Sequence, residues 1–217
     1  MKNIFYIPIG FQCAVPEVLQ SMGLKRETLP FDWMLSNPKF VYTILDLLLV
    51  GNVDIEYLVN EHFFNCENKV QFQSNENFIE LKNGDDFYNK RYEVIFPHDK
   101  NFEKDVEKYC RRFDRLKNIL YNKEITPVLL YISPSSNLHG NFTINGEIII
   151  KDSIKYFNKI FELVSKIRND FEFIIIDATN IEDVHLLNEN IKYEKIDSKN
   201  YYTEIKGDCI NILNKYK

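Results

Sequence analysis

Alanine, the strongest helix former, is almost missing from this chain of 217 residues, where it occurs only as Ala14 and Ala178. Isoleucine, asparagine and lysine are abundant instead. Such a bias is typical of an A/T-rich coding genome and answers no structural demand. Helix propensity is therefore a weak guide here, and we assign elements from hydrophobic periodicity and from turn residues.

Paired cysteines are also missing. The four cysteines (Cys13, Cys66, Cys110 and Cys209) form no Cys-x-x-Cys motif, which argues against zinc-ribbon and thioredoxin-like proteins. The apolar N-terminus is broken by Pro8 and Gly10 and does not read as a secretory signal. We therefore expect no disulfide framework and a cytoplasmic location.

Long apolar runs and metal motifs are absent too. The longest apolar stretch, 40–50, is interrupted by Thr43 and Asp46 and is too short to cross a bilayer. A net charge of −5 argues against nucleic-acid binding driven by bulk charge. The histidines show no metal-ligand spacing, and no phosphate-binding glycine loop is found. We expect no metal, no cofactor, no bulk nucleic-acid binding and no membrane partner, and a local basic patch stays open.

The overall composition, with 45% apolar and 27% charged residues, is typical of a globular protein. The length favours one domain over 1–217. Amphipathic helical patterns alternate with strongly apolar strands, which predicts a three-layer α/β sandwich with a mostly parallel central sheet. Short alternating runs around Asn83-Gly84 predict a small β excursion near 66–92. The predicted strands are 3–10, 92–96, 127–132, 171–176 and one near 191–196. The predicted helices are 14–22, 38–50, 54–64, 101–121 and 152–169, with two short ones in 181–217 around the last strand.

Sites in such sheets collect at the carboxyl ends of strands. Four chemically capable residues stand at or just after a predicted strand end: Cys13, His98, Ser133 and Asp177. Cys13 also begins a predicted helix, whose N–H groups and dipole favour a thiolate over a thiol. The alternative is that Cys13 is a small buried apolar residue, as free cysteines often are.

Histidine supplies the candidate base. His98 closes a predicted strand and, if it reaches Cys13, completes a Cys/His pair; otherwise it is a turn or cap residue. His139 lies in a polar loop and is a candidate substrate contact. His62 and His185 lie in predicted helices and are interpreted as packing or surface residues.

Two aspartates are ambiguous. Asp177 is placed to orient a histidine or to contact substrate hydroxyls, or else it caps the next helix. Asp32 lies between Phe31 and Trp33 and needs a partner if it is buried. Arg26 or local backbone N–H groups are the expected partners.

Three arginines, Arg111, Arg112 and Arg115, lie within one helical turn. They are spaced to clamp a phosphate or a carboxylate. With Glu107 and Asp114 on the same helix, they also fit a solvated ionic face.

Several segments together resemble a family of unknown-function domains, known as putative papain-like cysteine peptidases and found in bacteria and large DNA viruses. The segments that carry the resemblance are Ile9-Gly10-Phe11-Gln12-Cys13, Met22-Gly23-Leu24-Lys25-Arg26, Leu29-Pro30-Phe31-Asp32-Trp33, Phe96-Pro97-His98-Asp99 and 109–116. It covers about residues 3–177, with a weaker match at Gly207-Asp208.

The resemblance implies that Cys13 is the nucleophile and His98 the general base, with Asp177 as our choice for the third catalytic residue. Papain-like enzymes usually carry an oxyanion glutamine several residues before the cysteine, whereas Gln12 is adjacent to it. We place Gln12 with Asp32, Arg112, Arg115 and His139 in the expected substrate-binding set.

The sequence thus predicts a cysteine-nucleophile hydrolase or acyltransferase, acting on a protein or on an acyl-bearing small molecule. The main alternative is a glycosyltransferase-like α/β protein that binds a sugar phosphate or nucleotide phosphate through the arginines, with Cys13 only packing. An inactive interaction module is a third possibility.

Overall fold

A computed structural model describes residues 3–10, 13–65, 68–75, 78–99, 101–133, 143–144, 147–148, 153–178, 181, 183–196 and 203–216. Three residues of interest, Gln12, Cys66 and His139, lie outside this described part. The elements in chain order are β1 (Asn3–Pro8), α1 (Ala14–Ser21), α2 (Pro38–Leu49), α3 (Ile55–Leu58), β2 (Asn68–Asn75), β3 (Phe78–Asn83), β4 (Asp86–Asn89), β5 (Val94–Phe96), α4 (Phe102–Tyr121), β6 (Ile125–Ile132), β7 (Thr143–Ile144), β8 (Glu147–Ile148), α5 (Ser153–Ser165), β9 (Glu172–Asp177), β10 (Lys192–Lys195) and α6 (Thr203–Asn214).

The central sheet has four parallel strands in the order β1-β6-β9-β10. Its inner strands β6 and β9 are buried almost throughout, because parallel sheets are covered on both faces. This confirms the predicted parallel sheet. Cys13 follows β1, Ser133 directly follows β6, and Asp177 is the last residue of β9, so all three lie toward the carboxyl ends of these strands.

The two faces of the central sheet are distinguished by alternate residues of each strand. One set packs with α1 and α6 and includes Tyr6, Leu130 and Ile176. The other set packs with α2, α4, α5 and the second sheet, and includes Phe5 and Leu129. Side chains alternate across a strand, so one apolar strand can serve both cores. The three-layer sandwich is confirmed.

A second sheet contains the predicted β excursion. Its order is β5-β4-β2-β3-β7-β8, and its pairings are antiparallel except for β3 with β7. The excursion near 66–92 is therefore confirmed, but it extends further than expected because β5, at 94–96, pairs with β4 and not with the parallel strands.

The helices begin and end with recognisable polar contacts. The Asn37 side chain accepts the Phe40 N–H at the start of α2, and Asn101 does the same for Lys104 at the start of α4. At the end of α4, the guanidinium of Arg168 donates to the carbonyls of Leu120 and Asn122. This side chain is fully buried and also pairs with Asp170. A helix end is thus satisfied by a side chain from a distant segment.

Two predicted helices differ from the structure. The helix predicted over 54–64 is a single α-turn, α3, followed by a π-helical turn at 59–63. The first helix predicted after 181 is a short 3₁₀ turn at 184–186. Among the described residues, no helix combines the length and the apolar character needed to span a membrane.

Candidate active site

The loop after β1 carries Cys13 to the carboxyl end of the central sheet. Gly10 makes this path possible, because a Cβ there would lie 2.4 Å from Cγ2 of Val15 and 3.1 Å from the backbone nitrogen of Ile132. Cys13 then forms the N-cap of α1, whose first helical bond joins the Glu17 N–H to the Cys13 carbonyl. The helix is fixed by its buried face, Val15, Val18 and Leu19.

A short extended segment brings His98 to the same place. Leu35 exchanges two backbone hydrogen bonds with Ile95 in β5, at 2.9 and 3.1 Å. The next residue, Ser36, donates its hydroxyl to the Gly10 carbonyl at 2.8 Å. One buried segment therefore connects the loop before Cys13 to the strand before His98.

This connection corrects one step of the sequence argument. Cys13 and His98 were expected to meet as strand-end residues of one parallel sheet, but β5 belongs to the second sheet. Their proximity comes from Leu35 and Ser36, which join the two sheets.

The two candidate catalytic atoms face each other. The Sγ atom of Cys13 lies 3.6 Å from Nε2 of His98, which is within hydrogen-bonding range for sulfur. Cys13 is half-buried and His98 is exposed. A thiol and an imidazole are thus in reach of each other and of solvent, an arrangement that covalent catalysis by cysteine requires.

The thiol of Cys13 differs from the sequence expectation. Burial, together with the nearby carboxylates of Glu17 and Asp32, raises the pKa of the thiol to about 11, although its own backbone N–H acts in the opposite direction. Burial and the neighbouring carboxylates therefore favour the thiol over the thiolate, opposite to the direction that the helix start alone indicates.

The Trp33 side chain is the aromatic neighbour of His98. The two rings meet edge to face, with centroids 6.2 Å apart and planes at 90°. Trp33 has a φ of 61°, a left-handed conformation that costs a residue with a Cβ about 1–3 kcal/mol and is typical of functional turns. The Pro30–Trp33 turn therefore holds a strained residue against the candidate base.

Asp32 holds this turn from inside the protein. It is fully buried, pairs with Lys25 at 2.5 Å and accepts the Leu29 N–H at 2.8 Å. Burial raises the pKa of Asp32, while Lys25, the Leu29 N–H and Arg112 act to lower it. The expected backbone partner is found, but the charged partner is Lys25; Arg26 instead donates to Asn3.

Asp99, the residue after His98, is anchored to α4. It is 2% exposed, accepts the Tyr109 hydroxyl at 2.7 Å, and pairs with the Lys108 ammonium group. Lys108 also pairs with Asp105. The segment that carries His98 is therefore tied to the buried side of a long helix.

The three arginines of α4 have separate partners. Arg111 pairs with Glu107 on the exposed face, at 2.8 Å. Arg115 pairs with Glu27 and donates to the Thr28 carbonyl. The guanidinium carbon of Arg112 lies 4.9 Å from the centroid of the Tyr109 ring, as in a cation–π contact.

Asp177 and Ser133 lie at the ends of β9 and β6. Asp177 is fully buried and accepts the Tyr193 hydroxyl at 2.6 Å and the Ile181 N–H at 2.8 Å. Ser133 accepts the Ala178 N–H at 2.6 Å. These contacts tie the ends of β6 and β9 to the segment that leads to β10. Asp177 lies on β9, and β6 separates this strand from β1.

The described residues contain no group of three or more His, Cys, Asp or Glu side chains arranged to hold a metal ion. Gln12 and His139, two candidate substrate contacts, are outside the described residues, so their roles stay predictions. Sequence reasoning placed Cys13 and His98 together but missed the contacts of Trp33, Asp99 and Tyr109. The sequence indicates these contacts only through the His98-Asp99 pair, which precedes a predicted helix with Tyr109 at one of its apolar positions.

Fold and site together define a three-layer α/β protein with an accessible cysteine–histidine pair at the end of its central sheet. The chain belongs to the family described as "putative papain-like cysteine peptidase", whose model matches residues 5–137 and so contains both members of the pair. It is also similar to an uncharacterized protein of Acanthamoeba polyphaga mimivirus, at 24% identity over 225 residues, covering 90% of this chain and 97% of that protein. No solved structure gives a significant match.

Proposed function

We propose that the protein is a cysteine-nucleophile hydrolase or acyltransferase that acts on an acyl or isopeptide carbonyl, with Cys13 as nucleophile and His98 as general base. The observation that carries the proposal is the 3.6 Å distance between Sγ of Cys13 and Nε2 of His98. Membership of a family described as cysteine peptidases supports the same reaction class.

The raised pKa of the Cys13 thiol decides which form of the mechanism is proposed. With a pKa of about 11, the thiol carries its proton before the reaction begins. A high-pKa thiolate is a strong nucleophile, but it has to be generated at the moment of attack. His98 therefore acts as a general base during attack, and no preformed thiolate–imidazolium pair is needed.

In the first half of the reaction, the Cys13 S–H proton passes to Nε2 of His98 while Sγ bonds to the substrate carbonyl carbon. The carbonyl electron pair moves to oxygen and forms a tetrahedral oxyanion. When this intermediate collapses, the bond to the leaving amine or alcohol breaks and His98 returns the proton to that group. The product is an acyl thioester on Cys13.

In the second half, His98 takes a proton from water or from an acceptor nucleophile, which then attacks the thioester. Collapse releases the acid or the transferred acyl product, and the thiol regains its proton. Hydrolase and acyltransferase activities differ only in this second nucleophile. The exposure of His98 gives either one access.

The oxyanion is assigned to the start of α1. The first N–H groups of a helix have no intrahelical acceptor and carry partial positive charge. The N–H of Cys13 already acts on its own thiol, and those of Ala14 and Val15 belong to the same first turn. Donors of this kind stabilise a developing oxyanion.

Alkylation of Cys13 tests the proposal. Iodoacetamide is added near pH 7.5 to the wild type and to His98→Ala, and modification is followed peptide by peptide with mass spectrometry. Because the thiol itself is poorly ionised, we expect His98→Ala to slow Cys13 alkylation by about 10²-fold. Cys110 in the same samples is the internal control and keeps its rate.

An equal Cys13 rate in the two proteins would contradict the proposal. His185→Ala is the matched control, because His185 lies in the 3₁₀ turn at 184–186. It removes a histidine without changing the proposed base and keeps the wild-type rate.

A further inference from the structure

We propose that helix α4 positions the Cys13–His98 pair through Tyr109 and Arg112, which makes both of them positioning residues. The inference rests on the proposed function of that pair and extends it to a helix that contains neither reacting atom. Two chains of contacts lead from these neighbouring side chains of α4 to the imidazole of His98.

The first chain runs through Asp99. The Tyr109 hydroxyl donates to Oδ2 of Asp99 at 2.7 Å, and Asp99 directly follows His98. Tyr109 is 1% exposed and its ring packs against Phe63, with ring centroids 4.7 Å apart. Burial raises the pKa of Tyr109 well above its ordinary value, so the hydroxyl keeps the proton that it donates.

The second chain runs through Asp32 and Trp33. The Arg112 guanidinium carbon lies over the Tyr109 ring, 4.9 Å from its centroid. Asp32 is held by Lys25 at 2.5 Å and by the Leu29 N–H at 2.8 Å. Burial raises the pKa of Asp32, and the positive charge of Arg112 adds to that of Lys25 in opposing this rise. Trp33 follows Asp32 and places its ring edge to face against His98. The imidazole is thus supported from the Asp99 side and from the Trp33 side by one turn of α4.

Such support matters at the position of His98. The side chain is exposed and follows a strand of only three residues. A displacement of about 1 Å between reacting groups can slow a reaction by as much as 10²-fold. Two anchors on a long and well-packed helix would hold the Sγ–Nε2 distance within that tolerance.

Tyr109→Phe is the test for the first chain, because it removes one hydroxyl and keeps the ring. Cys13 alkylation is measured from pH 6 to pH 10 in the wild type, Tyr109→Phe, His98→Ala and the double variant, with the melting temperature of each. We expect Tyr109→Phe to lower the His98-dependent rate of Cys13 alkylation about tenfold. The double variant should match His98→Ala, since the hydroxyl acts only through the base.

Arg112→Gln is the test for the second chain, with Arg111→Gln as its matched control. Arg111 lies next to it on α4 but pairs with Glu107 on the exposed face. We expect several-fold slower Cys13 alkylation in Arg112→Gln, substantial recovery in Arg112→Lys, which keeps the charge near Asp32, and the wild-type rate in Arg111→Gln.

Three results would overturn the inference. One is a wild-type pH profile in both Tyr109→Phe and Arg112→Gln while His98→Ala remains slow. Another is an equal loss in the Tyr109→Phe and His98→Ala backgrounds, which indicates general destabilisation. A third is a rise in melting temperature with inorganic phosphate that Arg112→Gln abolishes, since this assigns Arg112 to anion binding. If His98→Ala itself reacts like the wild type, the proposed function fails instead, so the two failures are distinguishable.

Discussion

Cys13 and Cys110 are two half-buried thiols in one protein, and they differ in what surrounds them. Cys110 lies on α4 and lines an open cleft of about 440 Å³ together with Asp54, Glu56 and Asp114. Burial and these carboxylates raise the pKa of its thiol. Cys13 also has a raised pKa, but an imidazole nitrogen lies 3.6 Å from its sulfur.

The difference shows which property identifies a nucleophile here. A raised pKa does not separate the two thiols, because the pKa of each is raised, and the cleft described above is lined by Cys110. Of these two described thiols, Cys13 lies at a helix start and has an imidazole nitrogen 3.6 Å from its sulfur, and covalent catalysis depends on a nucleophile and a base in reach of each other. The acidic cleft around Cys110 instead disfavours a thiolate.

The strongest test of the comparison is the loss of each thiol in turn. We expect Cys13→Ala to lower the hydrolysis of an activated acyl ester, such as p-nitrophenyl acetate, by about 10³-fold, because removal of a nucleophile removes the covalent route. Cys110→Ala should stay within about twofold of the wild type. Absorbance of released p-nitrophenol measures both.

The comparison fails if the two alanine variants lose similar activity, or if Cys110→Ala loses more. Cys209→Ala is an additional control, since Cys209 is buried in the core between the central sheet and α6. Its substitution tests for loss of activity through destabilisation alone.

The pH dependence of alkylation provides the second test. Without His98, the reactivity of Cys13 should follow its thiolate fraction and rise about tenfold per pH unit below its pKa of about 11. Cys110 should show the same slope in the wild type, because its pKa is also raised. Wild-type Cys13 should react faster and rise less steeply, since His98 removes the proton.

A wild-type Cys13 profile that coincides with the His98→Ala profile from pH 6 to pH 10 would remove the distinction between the two thiols. Peptide mass spectrometry after timed quenching gives both profiles from one sample. Each protein thus carries its own reference cysteine.

Much of the fold could be predicted because local periodicity determines it. Apolar runs such as 127–132 and 171–176 form inner parallel strands, and α1 begins and ends close to its predicted limits. The excursion near 66–92 was predicted from its turn residues. The first helix predicted after 181 is only a 3₁₀ turn at 184–186, since a segment this short carries little periodicity.

The site could be predicted only in part, because long-range contacts determine it. The Cys13–His98 pair was predicted from strand ends, yet the Leu35 and Ser36 contacts that produce it leave no local pattern. Tyr109 reads as one more apolar position of a helix, although its hydroxyl binds Asp99. The burial and the carboxylates that raise the pKa of the Cys13 thiol could not be predicted from the helix start alone.

Backbone packing before Cys13 allows a third test. Gly10→Ala places a methyl group against Val15 and the backbone of Ile132, so the loop must shift. We expect the His98-dependent alkylation rate of Cys13 to fall about five- to tenfold. The free energy of unfolding should fall by about 1–3 kcal/mol. Cys110 should keep its rate.

Gly207→Ala is the control for this substitution, because a Cβ at that position meets no atom within 4 Å and alanine favours a helix. It should raise the melting temperature slightly and leave both cysteines unchanged. An unchanged Cys13 rate in Gly10→Ala, at a normal melting temperature, would show that the close approach at Gly10 does not set the geometry of the pair.

The smallest expected effects come from the carboxylates that act on each thiol. Glu17 is the charged group that contributes most to the raised pKa of Cys13, and Glu56 holds that position for Cys110. Removing a nearby negative charge lowers a thiol pKa and increases the thiolate fraction at any pH below that pKa. In the His98→Ala background near pH 8, we expect Glu17→Gln to accelerate the alkylation of Cys13 and Glu56→Gln to accelerate only that of Cys110, each by a factor of about 2–5. Salt weakens the interaction of exposed charges, so the gain should shrink in 1 M KCl. If Glu17→Gln accelerates both cysteines, the two thiols share one electrostatic environment, and their difference then depends on His98 alone.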